Sequence, residues 1–128
     1  MQSKFSNIEK YYFDLIKKLG PHGSQILKEL LNSIKYKNYL SIIILSATLF
    51  DVIKHENSEV IKNLSGIEIN TVFSSRDAMW LRQRRNQIIH HGGATDGLLG
   101  NKTDINTLSL DANKSIKILS DLLYFILK

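Results

Sequence analysis

The sequence contains no cysteine, only one proline and no apolar run long enough to cross a membrane. Without cysteine, the chain has neither disulfides nor thiolate metal sites. The longest mainly apolar run, residues 39–50, is about half the length that a membrane-spanning helix needs, and it includes Ser41, Ser46 and Thr48. It therefore predicts a core helix. No signal-type apolar segment follows the polar start of the chain, so a cytoplasmic location without membrane attachment is expected.

Features of disordered or repetitive chains are also missing. Hydrophobic residues make up 43% of the sequence and there is no long polar tract, which argues against disorder. No internal repeat of about 20 to 50 residues is present. Since 128 residues can bury one core but not two independent ones, we expect a single domain over residues 1–128.

Apolar residues recur at helical spacing along nearly the whole chain, whereas strand patterns are weak. This pattern predicts an all-α bundle of about five helices. Gly20-Pro21 marks the end of the first helix, and Ser24 is the expected N-cap of the second. The predicted helices span residues 3–19, 24–36, 38–56, 74–91 and 109–127, and one short helix is expected within the otherwise irregular residues 57–73.

Two of these helices and the loop between them have further sequence signals. Ser74 precedes Asp77 at the spacing of a capping box, and Gly92-Gly93 predicts the helix end near His91. Residues 94–106 are rich in glycine and polar residues, which predicts a surface loop mobile enough to gate a site. The helix over 38–56 is apolar on most faces and is expected at the bundle centre. The apolar stripe of the last helix fits either the core or a dimer seam.

All four arginines of the chain lie between Arg76 and Arg85, and the segment up to His91 also holds two of the four histidines and the only tryptophan. Residues 76–91 contribute +3 of the net charge of +5, because four arginines are opposed by one aspartate. Guanidinium groups are planar and permanently charged, and imidazole titrates near neutral pH. This combination favours an anionic partner such as RNA or DNA over a merely solvated basic face.

Within this segment, Arg85-Asn86-Gln87-Ile88-Ile89-His90 resembles the signature of the HEPN superfamily, in which an arginine and a small polar residue precede a histidine on a late helix. The resemblance implies a helical homodimer that cleaves RNA without a metal or another cofactor, with Arg85, Asn86 and His90 of two subunits meeting in a composite active site. It also implies a toxin or defence role, often beside a nucleotidyltransferase-type antitoxin. Relatives that have lost catalysis make the alternative a HEPN-like module that binds RNA, a nucleotide or a partner protein.

Helix geometry is compatible with this chemistry. Successive helical residues turn by about 100°, so Arg82, Asn86 and His90 are expected to form one polar line with Arg85 beside it. A histidine can take the proton of a ribose 2′-hydroxyl or protonate the leaving 5′-oxygen, while an arginine stabilises the charge on phosphorus. We therefore assign acid–base catalysis to His90, charge stabilisation to Arg85 and orientation of the phosphate or the histidine to Asn86. The expected products carry a 2′,3′-cyclic phosphate and a 5′-hydroxyl.

Further residues are assigned secondary or alternative roles. Arg82, Arg84 and His91 are candidates for substrate binding, and Asp51 is a candidate to orient Arg85 through an ion pair or, equally, to face solvent. For His91, a capping or solvent-facing role is favoured over proton donation.

The signature residues also have structural interpretations. His90 could bond the last carbonyls of its helix, and Asn86, a poor helix former, is expected to make a specific polar contact. Trp80 is expected in the core instead of stacking on a base. A metal site built from His55, Glu56, His90 and His91 is disfavoured because adjacent histidines diverge on a helix and arginines repel cations.

Overall fold

In a computed structural model the chain is an all-α bundle, as the sequence predicts, and the described residues contain no strand. The structure describes residues 10, 14–57, 59 and 71–127, without the side chains of 126 and 127. Most of the predicted first helix and of the irregular segment after residue 57 lies outside this description, although residues 14–16 are helical and a turn follows them. The helices with defined bounds are α1, Pro21–Lys35; α2, Tyr39–Glu56; α3, Arg76–Ile89; and α4, Asp104–Leu127.

Helix α2 lies at the centre of the bundle and packs against α1, α3 and α4, which confirms the prediction from its all-round apolarity. Helix α4 buries Leu119, Leu122 and Leu123, so this part of its apolar stripe serves the core. Burying one such leucine contributes roughly 1.5–3 kcal/mol. No helix within the described ranges has both the length and the apolarity that a membrane span requires.

The start of α1 differs from the prediction. The helix begins at Pro21 with Gly20 as its N-cap residue, and Ser24 lies inside the first turn instead of capping it. Proline suits the first helical position, because the N–H that it lacks would have no partner within the helix. The hydroxyl of Ser24 instead donates hydrogen bonds to the carbonyls of Ile16 and Leu19, at 2.9 and 3.2 Å. This residue therefore ties α1 to the segment that precedes it.

A side chain from α2 takes the place of the missing cap. The carboxylate of Glu56 accepts hydrogen bonds from the backbone N–H groups of His22 and Gly23, at 2.9 and 2.7 Å. These two donors belong to the first turn of α1, where the helix itself offers no acceptor. Glu56, one of the four residues of the alternative metal site, is thus engaged in joining the end of α2 to the start of α1.

The bounds of α3 are also corrected at both ends. Its N-cap is Ser75 and not Ser74, since the Ser75 hydroxyl accepts a hydrogen bond from the Ala78 N–H at 3.1 Å. The helix ends at Ile89, before the predicted end at His91. His90 is the C-cap residue, with extended backbone angles of φ −120° and ψ 130°. The signature histidine therefore lies just after the helix and not on it.

Helix α4 begins at Asp104 instead of residue 109, so the loop between α3 and α4 is shorter than predicted. The Asp104 carboxylate accepts hydrogen bonds from the backbone N–H groups of Leu99, Gly100 and Asn101, at 3.2, 2.7 and 3.0 Å. Gly100 has a φ of +82°, which glycine adopts without a steric penalty. These contacts order the second half of the loop against the start of α4.

The same contacts predict a pH effect. Desolvation raises the pKa of Asp104, but the hydrogen bonds from the three backbone N–H groups lower it, and the pKa lies below its ordinary value. Such a carboxylate stabilises the fold above about pH 4, and this contribution is lost as the pH falls through the folded-state pKa. In an NMR titration, we expect the amide proton shifts of Leu99 and Gly100 to change with a midpoint below about 3.9. The change should vanish in Asp104→Asn, and a midpoint above that value would contradict the arrangement.

Candidate functional site

A cleft of about 860 Å³ lies between α3, the loop that follows it and the first turns of α4. This volume falls within the range of small-ligand sites, roughly 300–1,000 Å³. The residues that line it are Trp80, Gln83, Arg84, Asn86 and Gln87 from α3, His90, Gly92, Ala94, Thr95 and Asp96 from the loop, and Thr107 and Asp111 from α4. Two of the three signature residues, Asn86 and His90, therefore lie in one cleft.

The end of α3 holds Asn86 and His90 next to each other. His90 leaves the helix with extended backbone, but its N–H donates to the Asn86 carbonyl at 3.0 Å and both residues line the cleft. Arg82, the third member of the predicted polar line, does not line the cleft. Asn86 and His90 are both exposed. Within the described part of the chain, neither the Asn86 amide nor the His90 imidazole has a hydrogen-bond partner, so the expected polar contact of Asn86 is absent there. Both side chains can therefore bind a ligand.

Arg85 lies on a different face of α3, turned towards α2. The expected ion pair with Asp51 is present, with Arg85 Nη1 2.8 Å from Asp51 Oδ2, and Arg82 Nε lies 3.9 Å from the other carboxylate oxygen. Two guanidinium groups share one carboxylate, so the cluster keeps a net positive charge. The Arg85 Nε is buried and has no hydrogen-bond partner among the described residues. Arg85 does not line the cleft, so one chain does not bring all three signature residues together.

Arg84 has a different environment from its neighbour Arg85. It is only 4% exposed, and its Nε forms an ion pair with Asp111 Oδ2 at 2.8 Å. Its other nitrogens donate to the Asp96 carbonyl at 2.5 Å and to Gln87 Oε1 at 3.3 Å. These contacts tie α3 to α4 and to the loop wall of the cleft. The guanidinium is thus engaged inside the protein, in contrast to the substrate-binding role predicted for it.

Trp80 lines the cleft, although the sequence placed it in the core. It is half-buried, packing partly against the hydrophobic core and partly bordering the cleft. The Lys114 ammonium lies 4.2 Å from the centre of its ring, within cation–π distance. The sequence signal was the spacing of Trp80, Gln83 and Gln87, which places two amides and an indole on one helix face.

The remaining candidates lie apart from this cleft. His91 is exposed beyond the helix end and does not line the cleft with His90. In the described ranges, no group of three or more histidine, aspartate or glutamate side chains is arranged to hold a metal ion. The residues that line the cleft therefore carry one imidazole, one indole, three amides, two threonine hydroxyls, the carboxylates of Asp96 and Asp111, and the internally paired guanidinium of Arg84.

Comparisons with protein-family models, with curated proteins and with solved structures found no match to this chain. The fold itself brings together three chemical groups at this site. These are an imidazole that can transfer protons, an adjacent amide that can orient a ligand, and a cationic cluster on the neighbouring face of the same helix.

Proposed function

We propose that this protein is a HEPN-like, metal-independent endoribonuclease that acts as a homodimer. The observation that carries the proposal is the position of Asn86 and His90, which are neighbours on the wall of a cleft of ligand size. Their side chains have no hydrogen-bond partners among the described residues. An exposed imidazole beside a free amide is suited to bind a phosphodiester and to move protons on it.

The reaction follows from these groups. The ribose 2′-oxygen attacks phosphorus as His90 removes its proton, and the bond from phosphorus to the 5′-oxygen breaks. A second proton donor, His90 of the other subunit or water, protonates the leaving oxygen. Asn86 orients the phosphate, and an arginine stabilises the negative charge of the transition state, a contribution worth about 10²–10³ in rate. The products carry a 2′,3′-cyclic phosphate and a 5′-hydroxyl.

A homodimer is part of the proposal because Arg85 points away from the cleft of its own chain. The outer face of α3 carries Met79, Arg82, Asn86 and Ile89, alternately three and four residues apart, as in the seam of paired helices. Met79 and Ile89 are 48% and 49% exposed, which leaves an apolar surface for a second copy. Arg85 borders this seam. Two copies packed along it would bring Arg85 of one subunit to the cleft of the other.

The resemblance extends the proposal to a toxin or defence effector, regulated by a nucleotidyltransferase-type antitoxin. The second candidate function is a HEPN-like module that binds RNA, a nucleotide or a partner protein without cleaving it. One observation favours this alternative: Arg85 is paired with Asp51 and lies outside the cleft. Catalysis requires an arginine at the reacting phosphate, whereas binding by the cleft does not require Arg85.

The test is incubation of the purified protein with a mixed RNA pool in the presence of EDTA. We expect fragments with 2′,3′-cyclic phosphate and 5′-hydroxyl ends, and we expect His90→Ala to slow their formation by about 10²–10⁴-fold. The matched control is His22→Ala, because His22 is also an exposed histidine but lies at the start of α1. It should cleave at the wild-type rate.

Other outcomes have distinct meanings. Fragments with 3′-hydroxyl and 5′-phosphate ends would contradict the mechanism. Equal cleavage by the wild type and His90→Ala would exclude His90 as the catalytic group. RNA binding without cleavage would favour the binding module.

A further inference from the structure

We infer that Trp80 and Lys114 form a nucleobase subsite of the cleft, in which an unpaired base stacks on the Trp80 ring and Lys114 binds the neighbouring phosphate. The identification of the ligand as RNA rests on the proposed function. The subsite itself rests on the position of Trp80 in the cleft and on the cation held at its ring.

The environment of Trp80 suits stacking. One side of the residue packs against the core, which fixes its position, and another side borders the cleft that also contains Asn86 and His90. Aromatic side chains bind single-stranded RNA by stacking because every base presents a flat π-face. Trp80 and Asn86 are six residues apart on α3, or about 9 Å along the helix axis. A short oligonucleotide can reach both.

Lys114 completes the subsite from the other helix. Thr107 and Asp111 line the cleft. Lys114 lies on the same face of α4, because Asp111 and Lys114 follow Thr107 by four and seven residues, the spacing of one helix face. Its side chain is exposed, and its ammonium lies 4.2 Å from the centre of the Trp80 ring. A stacked base can displace this flexible group. The displaced ammonium then pairs with a phosphate, a stronger partner for a cation than an aromatic ring.

Two glutamine amides line the same cleft as the indole and the signature residues Asn86 and His90. Gln83 and Gln87 line the cleft, and the Gln87 oxygen accepts a hydrogen bond from Arg84. Because Arg84 is itself held by Asp111 and the Asp96 carbonyl, it fixes the orientation of the Gln87 amide. Amide groups in a fixed orientation can bond to the edge of an unstacked base. This arrangement favours a base over a sugar–phosphate backbone alone as the group bound beside Trp80.

Fluorescence provides a direct test because Trp80 is the only tryptophan of the chain. The His90→Ala form is titrated with a short single-stranded oligoribonucleotide, with an abasic oligonucleotide of the same length and with inorganic pyrophosphate. We expect saturable quenching by the base-containing strand and at least tenfold weaker binding of the abasic strand, since one base stack is worth roughly 5- to 150-fold in affinity. Pyrophosphate should leave the emission unchanged.

Variants supply the second readout, with anisotropy of a labelled oligonucleotide as the measurement. Trp80→Leu should weaken binding by roughly tenfold, whereas Trp80→Phe should retain most of it because a ring remains. Lys114→Ala should weaken binding several-fold at low salt and less at high salt. Lys117→Ala, which removes an exposed lysine one turn further along α4, is the matched control and should bind as the wild type does.

Equal binding of the abasic strand, or unchanged binding by Trp80→Leu, would overturn the subsite. If RNA is cleaved in a His90-dependent way but does not quench Trp80, the subsite is wrong and the ribonuclease stands. If RNA quenches Trp80 but is not cleaved, the subsite stands and the ribonuclease fails.

Discussion

Replacing Arg84 by methionine is expected to lower the free energy of unfolding by about 3–5 kcal/mol, the typical cost of removing one partner of a buried ion pair. Methionine keeps much of the apolar stem of arginine but removes the guanidinium. Asp111 then loses its ion-pair partner at 2.8 Å, and the Asp96 carbonyl loses its donor. Because the Asp111 side chain is 25% exposed and can be partly hydrated, the lower end of this range is expected.

Urea denaturation followed by circular dichroism measures this effect, and two further variants show its origin. Arg82→Met removes an arginine of the same helix whose side chain is 42% exposed and whose Nε lies as far as 3.9 Å from Asp51 Oδ1. This weak, solvated pair should contribute no more than about 1 kcal/mol to the free energy of unfolding. Combining Arg84→Met with Asp111→Leu should recover much of the loss, because no unpaired charge remains. A loss below about 1 kcal/mol in Arg84→Met alone would show that the ion pair contributes little.

Arg84 also shows which features of the site the sequence could not predict. Arg84 and Arg85 are adjacent and chemically identical, but on a helix they point about 100° apart. One reaches Asp111 on α4, and the other reaches Asp51 on α2. The pair of Arg85 with Asp51 was one of two alternatives that the sequence offered. The pair of Arg84 with Asp111 was not predicted, because it depends on how α3 and α4 pack.

The helix bounds follow the same rule. The central place of α2 was predictable because apolar residues cover most of its surface. In contrast, Ser74 and Ser75 offer identical capping chemistry. The backbone path into α3 determines that the Ser75 hydroxyl is the one that reaches the Ala78 N–H. The start of α1 at Pro21 depends on Glu56, more than thirty residues away. Local patterns therefore predicted the helices, while tertiary contacts determined where they begin.

Residue type and spacing were sufficient to predict only part of the candidate cleft. The sequence predicted Asn86 and His90 as a pair, and the structure brings both to one cleft. It placed His90 on the helix, where the structure has extended backbone. Gly92-Gly93 predicted the helix end near His91, and the helix ends at Ile89, a difference of two residues.

The proposed composite site leads to a prediction about mixtures of inactive variants. Arg85→Ala and His90→Ala are each expected to slow RNA cleavage by about 10²–10⁴-fold, since one removes transition-state stabilisation and the other removes proton transfer. If each cleft uses its own His90 and the arginine of the other subunit, a mixed dimer contains one intact site. Equal mixing with subunit exchange gives half mixed dimers, so about a quarter of the wild-type activity should return.

The controls separate a shared site from other causes of recovery. Ile89→Glu, added to both variants, should abolish the recovery because it places a charge on the seam proposed for α3. Leu110→Glu should leave it unchanged, since Leu110 is 70% exposed on α4 and takes no part in that seam. Sedimentation shows whether each form is a dimer, and circular dichroism shows whether it is folded. Folded, dimeric variants that stay inactive when mixed would mean either that each site needs the His90 of both subunits or that Arg85 and His90 act within one chain. In the second case, Arg85 would have to leave Asp51 to reach the cleft.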